Sequence, residues 1–351
     1  MAKKSLNVID LFCGCGGLSY GFELEGFNVL LGIDNDKMAL ETFKHNHKNS
    51  KAILDDITKV SYESIKEVIG DNKIDLIVGG PPCQGMSLSG PRKFHDPRNR
   101  LYLSYIRLVR EIKPQAFVIE NVPGLVSLFN GAIKDSILKE FKKMGYTVEY
   151  KILNAADYGV PQFRKRVIFV GLKDKAFQFP EPLTNSGNYV TCEMAISDLP
   201  SLSNGFLGVE IQDYPSKPLC NYQIMMREGV NKVCNHIAAA HSDKVQNIIA
   251  LVPEGGNYKS LPDKYKDTRN FHVAWTRFHS KKPAPTIDTG HRHHFHYLYN
   301  RVPTVRECAR LQSFPDRFIF LGNKTEQFRQ VGNAVPPLLA KKIAEQIKNY
   351  L

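Results

Sequence analysis

The chain has 351 residues, of which 42% are hydrophobic and 23% charged, a composition that is typical of globular proteins and argues against wholesale disorder. A formal net charge of +12 makes nucleic acid a candidate partner, with solubility alone as the simpler explanation of a basic chain. Seven cysteines without a CxxC pair argue against a disulfide framework, and no apolar run approaches the roughly 18 residues of a membrane-spanning helix, so we expect a soluble cytoplasmic protein.

The first half of the chain alternates apolar strand-like runs with helical runs. We predict strands at Leu6–Phe12, Phe27–Ile33, Ile74–Val78, Ala116–Ile119, Thr147–Leu153 and Arg166–Leu172. We predict helices at Leu18–Glu25, Asp36–His47, Leu101–Ile112 and Ile133–Met144. This alternation predicts an α/β fold with a doubly wound, mostly parallel sheet and helices on both faces.

The character of the sequence changes after Leu172. Prolines, glycines and polar residues are dense from about Lys173 to Pro285, and helical periodicity returns only at Val305–Gln312 and Val335–Tyr350. We therefore predict a large first domain over residues 1–185, a smaller irregular domain over 186–304, and a segment 305–351. The last segment supports the irregular domain and ends in a helix that returns to the first domain.

Three loops that follow predicted strands have the residues of a nucleoside site. The loop Asp10–Gly17 is rich in glycine, which lets its backbone approach a ligand closely, although it lacks the GxGxxG pattern of dinucleotide sites. The end of the second strand offers Asp34 and Asp36, where a carboxylate suits a pair of ribose hydroxyls, and the run Asp55-Asp56-Ile57 suits the edge and face of an adenine ring. Each signal alone is weak, because glycine-rich turns and acids at strand ends are common in folded proteins.

A fourth loop, Gly79–Gly85, places Cys83 directly after two prolines and before a glycine. A single cysteine is most often a small buried hydrophobic residue. Proline fixes its own φ angle, so this loop would hold the thiol of Cys83 in one place. A buried, inert cysteine has no need of such a frame at a strand end, and the pattern therefore favours a nucleophile.

Acidic and basic side chains follow the next strands. Glu120 ends an apolar strand, where a carboxylate is costly to bury unless it has a partner or a function; a cap on the turn at Pro123 is the ordinary alternative. In an extended chain Gln162, Arg164 and Arg166 point to the same side, which predicts one row of donors for phosphates or a base edge. An exposed basic strand end is the other interpretation.

With these residues in place, the chain resembles the AdoMet-dependent DNA cytosine-5 methyltransferases of bacterial restriction–modification systems. The resemblance covers nearly the whole chain and comprises six motifs in the order of the family: Asp10–Phe22, Pro81–Gln84, Glu120–Val122, Gln162–Arg166, Arg306–Pro315 and Gln330–Pro337. It implies a class I AdoMet-methyltransferase fold, in which 1–185 is the catalytic domain and 186–304 the target-recognition domain.

The resemblance implies sequence-specific methylation of C5 of cytosine in duplex DNA by base flipping. Cys83 would add to C6 of the ring, because covalent addition makes the poorly nucleophilic C5 electron-rich. Glu120 would bind N3 and the exocyclic amine of the base, and Arg166 would donate to its O2. Arg164 would brace the loop and a phosphate.

For the cofactor AdoMet, the family implies contacts from residues in several motifs. They are Phe12, Cys13, Gly14, Gly16, Gly17, Asp34, Asn35, Asp56, Ile57, Pro82, Leu101, Asn333 and Val335. The chain departs from the family pattern at Asp34, where a longer Glu is frequent, at Asn35, where some members have an aromatic residue, and at Met86, where Phe is common. These departures affect contacts rather than the reaction.

The resemblance also implies a DNA-binding set and a partner. The set comprises Ser87, Arg92, Lys93, Arg98, Gln162 and Thr286. The basic run after Cys83 would belong to a loop that closes over the flipped base, with a solvated charged turn as the alternative. The histidines of Gly290–His296 suggest a loop near the DNA backbone rather than a metal site, because no second ligand cluster completes them. We expect a monomer, with a cognate restriction endonuclease as a genetic rather than physical partner.

Three alternatives remain open from the sequence. An RNA (tRNA) cytosine-5 methyltransferase would use the same catalytic residues, but it should not need a long variable segment that reads duplex DNA. A catalytically inert DNA-binding protein on this fold would not need Cys83, Glu120 and Arg166 together. A nicotinamide-dependent dehydrogenase is disfavoured because the GxGxxG pattern is missing.

Overall fold

A computed structural model of the protein describes residues 5–82, 100–202, 207–266, 275–290 and 293–351. The chain forms two compact units, each built from more than one stretch of sequence. The first unit comprises Met1–Asn154, Lys165–Pro182 and Ala334–Leu351, and the second comprises Ala155–Arg164 and Leu183–Asn333. The connection Ala155–Arg164 thus belongs to the second unit, although both of its ends join it to the first.

A single sheet organises the first unit. Its strands in the described residues are β1 (Asn7–Leu11), β2 (Asn28–Asp34), β3 (Lys51–Leu54), β4 (Leu76–Gly79), β5 (Ala116–Asn121), β6 (Tyr146–Asn154) and β7 (Lys165–Lys173). They lie in the order β3-β2-β1-β4-β5-β7-β6, with parallel pairing from β3 to β5. Strand β7 runs antiparallel to both of its neighbours. The predicted doubly wound, mostly parallel sheet is confirmed.

The helices of the described residues alternate with these strands and continue into the second unit. They are α1 (Gly17–Leu24), α2 (Lys37–Asn46), α3 (Tyr62–Ile69), α4 (Arg100–Ile112), α5 (Ala132–Lys143), α6 (Cys192–Ile196), α7 (Asn221–Met226), α8 (Asp243–Ala250), α9 (Asp263–Lys266), α10 (Val305–Leu311), α11 (Lys324–Asn333) and α12 (Pro337–Ile347). Among the residues that the structure describes, no helix has both the length and the apolar character that crossing a membrane requires.

Each strand and helix predicted in the first half is confirmed, with its ends shifted by a few residues. The sequence analysis missed β3 and α3. Strand β3 has four residues and no buried face, so its sequence carries little periodic signal. Helix α3 begins with a capping box, in which the side chains of Ser61 and Ser64 each bond the backbone of the other, and this signal was available in the sequence.

The core of the first unit lies on the faces of the sheet. Strand β4 is buried along its whole length, and Phe117 of β5 stacks on Phe141 with ring centroids 4.0 Å apart. Burial of such apolar surface contributes most of the free energy of folding. Helix α12 packs directly on α1. The two helices are so close at Gly21 that a Cβ atom there would lie 2.4 Å from the Cβ of Ala340. The last helix of the chain thus belongs to the first unit.

The second unit is irregular, as predicted, and its strands are short. They are β8 (Ile211–Asp213), β9 (Lys232–Cys234), β10 (Thr276–Arg277) and β11 (His294–Phe295). A cluster of buried charges takes the place of a large sheet. The guanidinium of Arg310 is fully buried, with its Nε 2.6 Å from Asp316 Oδ1 and its Nη1 3.0 Å from Asp198 Oδ1. A buried charge is tolerated when it is paired and hydrogen-bonded in this way.

Arg306, one turn earlier on α10, is also fully buried and donates mainly to backbone oxygens. Its guanidinium bonds the carbonyl of Cys234 at 3.0 Å, that of Pro315 at 3.1 Å and that of Phe318 at 2.8 Å. One side chain therefore ties the end of β9 to the loop that follows α10. Polar ties of this kind give the second unit its shape where regular secondary structure is sparse.

Candidate active site

The loop after β1 turns through three residues with left-handed backbone: Phe12 (φ 67°), Gly14 (φ 53°) and Gly16 (φ 96°). A Cβ atom at Gly16 would lie 2.2 Å from Cε1 of His47, so only glycine fits there. A Cβ atom at Gly14 would meet no atom within 4 Å, which leaves room for a ligand beside the backbone. Helix α1 then begins at Gly17 without a hydrogen bond from a side-chain cap.

Asp34, at the end of β2, holds this loop through its carboxylate. The backbone N–H of Gly14 donates to Asp34 Oδ2 at 2.7 Å, and the N–H of Asp36 donates to Oδ1 at 2.8 Å. Burial raises the pKa of Asp34 above its ordinary value, against the hydrogen bonds from these amides. Asn35 is exposed, and Asp36 caps α2 by accepting from the amides of Met38 and Ala39. The carboxylate of Asp34 therefore lies next to the space beside Gly14.

Asp56 and Ile57 follow β3, the neighbour of β2. The carboxylate of Asp56 accepts bonds from the backbone N–H and the hydroxyl of Thr58, which lower its pKa. The side chain of Ile57 is buried, and its carbonyl accepts from Arg107 of α4 at 3.3 Å. These two residues thus offer a fixed carboxylate and an apolar surface at the same edge of the sheet.

The remaining residues predicted to contact the cofactor lie in both units. Leu101, like Phe12, is half-buried and packs against the core cluster of the first unit, whereas Pro82 is exposed. Val335 is buried in the first unit. Asn333 is exposed and ends α11 in the second unit.

The sequence analysis missed Asp10 as a candidate functional residue. Its carboxyl group is buried at the end of β1, and burial raises its pKa to about 7 against hydrogen bonding by Ser19 in the first turn of α1. Cys13 and Cys15 are buried in the loop, and desolvation raises the pKa of Cys15 to about 12 and that of Cys13 well above its usual value. Neither thiol is therefore a nucleophile at neutral pH.

A charge pair stands at the ends of β5 and β7. Nε of Arg166 lies 2.8 Å from Oε1 of Glu120, and the two side chains are only 14% and 12% exposed. The antiparallel pairing of β5 with β7 sets Glu120 opposite Ile168, which brings the start of β7 beside it. A Cβ atom at Gly80 would lie 2.9 Å from Oε2 of Glu120, so the loop after β4 runs directly against this carboxylate.

Asn121 fixes that loop from the adjacent position on β5. Its side-chain amide donates to the carbonyl of Pro81 at 2.9 Å, and both residues are buried. The loop leads through Pro82 into Cys83, which lies outside the described residues. The predicted DNA-binding residues of the following run also lie outside them: Ser87, Arg92, Lys93 and Arg98.

The prediction that Gln162, Arg164 and Arg166 form one row of donors able to reach phosphates or a base edge is wrong for Gln162 and Arg164, whose side chains are buried. Strand β7 starts only at Lys165, so the alternation of an extended chain does not reach back to residue 162. Gln162 is fully buried in the second unit, where its amide donates to Leu311 and Gln312 and its oxygen accepts from the N–H of Ile287. Its side chain therefore has no group to offer to DNA in this conformation.

Arg164 is likewise buried and bonded inside the second unit. It donates through Nη1 to the carbonyl of Ile287 at 3.0 Å and through Nη2 to the carbonyl of Gly332 at 2.7 Å. A Cβ atom at Gly332 would lie 2.2 Å from the carbonyl oxygen of Asp288, which explains the glycine at this close approach. Arg164 thus braces two loops through backbone oxygens.

Thr286 is exposed in the second unit, and its hydroxyl donates to the carbonyl of Phe163 at 2.7 Å. In the histidine run nearby, His294 and His296 are buried, and burial lowers the pKa of His296 to about 3. His291 lies outside the described residues. Within the part of the chain that the structure describes, no group of three or more His, Cys, Asp or Glu residues is arranged to hold a metal ion.

Comparison with known proteins assigns the chain as a whole to a family. The family described as C-5 cytosine-specific DNA methylase matches residues 6–349, which is nearly the whole chain. The chain belongs to this family. The methyltransferase therefore transfers a methyl group from a donor to C5 of cytosine in DNA, and the predicted family, reaction and restriction–modification type are confirmed.

Individual relatives agree with the family assignment. The chain is 41% identical to the Type II methyltransferase M.DdeI of Desulfomicrobium norvegicum, over 98% of this chain and 89% of that protein. It is 38% identical to the Type II methyltransferase M1.HphI of Haemophilus parahaemolyticus, over 98% and 87%.

Among solved structures, one described as a DNA modification methyltransferase encoded within a prophage (E. coli) matches with a TM-score of 0.81 and 30% identity. The match covers 98% of this chain and 99% of that one. The predicted class I methyltransferase fold is thereby confirmed, and the dehydrogenase alternative is excluded.

Proposed function

We propose that the methyltransferase uses AdoMet as its methyl donor and acts on a cytosine that is flipped out of duplex DNA, with Cys83 as the nucleophile. The observation that carries this proposal is the pair of Glu120 and Arg166, whose Oε1 and Nε lie 2.8 Å apart beside the segment after β4 that precedes Cys83 in the sequence. A carboxylate and a guanidinium there supply the two polar edges that a cytosine ring needs.

The covalent step needs a fixed thiolate. The sulfur of Cys83 forms a bond to C6, C5 becomes nucleophilic and takes the methyl group, a base removes the proton from C5, and the carbon–sulfur bond breaks to restore the thiolate. The bond from Asn121 to Pro81 supports this role, because it anchors the chain two residues before the cysteine.

Glu120 and Arg166 stabilise the ring while the thiolate adds. Glu120 binds N3 and the exocyclic amine, and Arg166 donates to O2, where negative charge develops. Before the base binds, the carboxylate of Glu120 and the guanidinium of Arg166 form an ion pair. Neither charge is therefore left without a partner at the end of its strand. Arg164 supports the step from a distance by bracing loops in the second unit.

The residues of the first unit fit AdoMet. When bound, AdoMet supplies an electrophilic methyl group. The uncapped amides at the start of α1 suit its carboxylate, and the oxygens of Asp34 beside Gly14 suit its ribose hydroxyls. Phe12 and Ile57 offer apolar surface for the adenine. Both oxygens of Asp34 already accept an amide N–H, so this shorter acid is locked in place where a Glu is frequent in the family.

The DNA partner follows from charge and from the second unit. A net charge of +12 favours a duplex that carries one negative charge per phosphate, and residues 186–304 would read its sequence in the major groove. Thr286 is exposed in this unit and would meet the backbone near the target. We further propose that the protein acts as a cytoplasmic monomer and that its cognate restriction endonuclease is a genetic partner.

Transfer of labelled methyl groups tests the proposal. Purified protein with labelled AdoMet should label duplex DNA and not tRNA, and a duplex containing 5-fluorocytosine should trap a covalent complex, because fluorine cannot leave C5 as the proton does. Cys83→Ser should abolish both the transfer and the trapping while DNA binding persists. Cys220→Ser, which replaces a half-buried thiol in the second unit, is the matched control and should retain both. Turnover by Cys83→Ser, or labelling of tRNA alone, would contradict the proposal.

A further inference from the structure

The imidazole of His47 lies against the backbone of the loop that precedes α1. This histidine follows α2 directly, and its side chain is fully buried in the first unit. A Cβ atom at Gly16 would lie 2.2 Å from Cε1 and 3.0 Å from Nδ1 of the ring. The glycine backbone therefore rests on the edge of the imidazole, with no space for a side chain between them.

The ring is itself supported by Phe43, one turn earlier on α2. The two rings stack with centroids 4.2 Å apart and an angle of 13° between their planes. Phe43 in turn lies against Gly32 of β2, where a Cβ atom would be 2.6 Å from Cζ. The two rings therefore fill the space between β2 and the loop, and both contacts require glycine on the opposite side.

Hydrogen bonding fixes the orientation of the imidazole. Nδ1 lies 3.1 Å from the carbonyl oxygen of Phe43, and since a carbonyl can only accept, Nδ1 carries the proton. Burial lowers the pKa of His47 to about 4, so the ring is neutral at physiological pH. The ring of Tyr20 on α1 meets its face edge-on, 5.7 Å away.

The loop is thus held from two directions by one strand–helix unit. Asp34, before α2, accepts the N–H of Gly14, and His47, after α2, supports Gly16. The carboxylate of Asp34 holds Gly14 by a hydrogen bond, and the ring of His47 limits how closely Gly16 can approach α2. Together they determine where the amides at the start of α1 point.

We propose that His47 is a positioning residue for the methyl donor. Its ring sets the position of the Gly16 backbone, and thereby the direction in which the first amides of α1 point. This inference rests on the proposed use of AdoMet. The imidazole does not touch the donor; it acts through the loop, by shape and not by charge. Without the ring, the loop would move towards α2. We expect this to weaken the binding of the donor more than it slows the chemical step.

Titration calorimetry with AdoMet and steady-state kinetics test the role. His47→Ala should raise the dissociation constant and the KM for AdoMet about 10-fold or more, while kcat at saturation stays within about threefold, since only a misplaced binding group is involved. His47→Phe keeps the stacked ring and should restore most of the affinity. His45→Ala, an exchange of a partly exposed histidine on the same helix, is the matched control and should bind as the wild type does.

A double-mutant cycle separates this role from general stability. Gly16→Ala places a Cβ atom in the imidazole, and removal of the ring in the Gly16→Ala/His47→Ala double variant should relieve that clash. The strain of alanine at a φ of 96° is the same in both backgrounds and cancels. The expected result is that Gly16→Ala weakens AdoMet binding less in the His47→Ala background than in the wild type.

Additive effects in the cycle, or unchanged affinity in His47→Ala, would overturn the inference. So would a drop in kcat alone with no change in the dissociation constant. Failure of the wild-type protein to bind AdoMet would instead contradict the proposed donor, so the two failures are distinguishable.

Discussion

The two units hold their charged side chains for different purposes. In the first unit, Glu120 and Arg166 pair at the ends of two strands, beside a loop and partly open to solvent. In the second unit, Arg310 is closed off completely between Asp198 and Asp316. The difference is one of exposure: the pair proposed to bind the target base keeps some access to solvent, whereas the pair that organises loops has none.

The largest effect is expected when the negative charge is removed from the pair of Glu120 and Arg166, which is called the open pair below. Glu120→Gln keeps the shape of the side chain, and it should lower the rate of methyl transfer by about 10² to 10⁴-fold, the usual size of a lost acid–base or charge-stabilising group. The free energy of unfolding should fall by less than the activation free energy rises, because the amide oxygen of glutamine can still accept the bond from Arg166. Single-turnover transfer and thermal unfolding measure the two quantities.

Glu140→Gln is the matched control, since Glu140 pairs with Arg110 and Lys143 on the helices of the same unit. It should keep the wild-type rate. A stability loss by Glu120→Gln as large as its rate loss would mean that the open pair is structural after all.

The buried group of Arg310 with Asp198 and Asp316 is called the sealed pair below. Removal of one of its carboxylates should mainly lower the stability of the second unit. Asp316→Ala leaves Arg310 and Arg306 without their shared carboxylate, and we expect a loss of about 3–5 kcal/mol in the free energy of unfolding of the second unit. Urea unfolding followed by the fluorescence of Trp275, the single tryptophan of the chain, reports on this unit.

Asp213→Asn, which removes an exposed partner of Lys232 in the same unit, should change the stability by no more than about 0.5 kcal/mol. Equal effects of the two exchanges would remove the distinction between open and sealed pairs.

The pH dependence of stability should differ between the units. Burial raises the pKa of Asp10 from 3.8 to about 7, so between about pH 4 and pH 7 the folded chain holds a proton that the unfolded chain has released. The contribution of Asp10 to the free energy of unfolding therefore falls as the pH rises through this window, by at most about 1.4 kcal/mol per pH unit. Asp10→Asn should flatten that slope, as measured by hydrogen exchange of the β1 amides between pH 4 and pH 7.

In the second unit the sign is reversed. Arg310 lowers the pKa of Asp316, so the stabilisation by this carboxylate is present above pH 4 and is lost as the pH falls further. Acid should thus unfold the second unit through Asp316 while it protonates Asp10 favourably in the first. An identical acid response of Trp275 fluorescence in Asp316→Asn and the wild type would contradict this account.

The smallest effect is expected at Thr286. Thr286→Val removes the hydroxyl that donates to the carbonyl of Phe163, which should cost about 0.5–1.5 kcal/mol of stability. If the residue also meets a phosphate, DNA affinity should fall several-fold at low salt, as measured by fluorescence anisotropy over a salt series. Thr289→Val, in the same exposed loop, is the control and should bind DNA normally.

The first unit could be predicted from sequence because its information is local. Strands such as β4 and β5 are apolar runs bounded by glycine or polar residues, as at Glu120 near the end of β5. What could not be predicted there are the effects of contact in space. The bond from Asn121 to Pro81 joins positions 40 residues apart, and no periodicity indicates it.

The second unit could be predicted only as irregular. Its order comes from long side chains that bond backbone oxygens far away in sequence, such as Arg306 with Cys234 and Arg164 with Gly332. The wrong assignment of Gln162 has the same cause. Alternation was extended beyond the true start of β7, and a residue that anchors a loop was therefore read as one that faces solvent.

The way in which Gln162 and Arg164 hold the second unit has a consequence for how specificity changes. Most of their acceptors and donors are main-chain atoms, at Ile287, Leu311 and Gly332. Any amino acid supplies a carbonyl, and any except proline supplies an N–H. The anchorage thus depends mainly on main-chain atoms, so under the proposed role of residues 186–304 in reading DNA, substitutions of side chains there should leave these bonds in place.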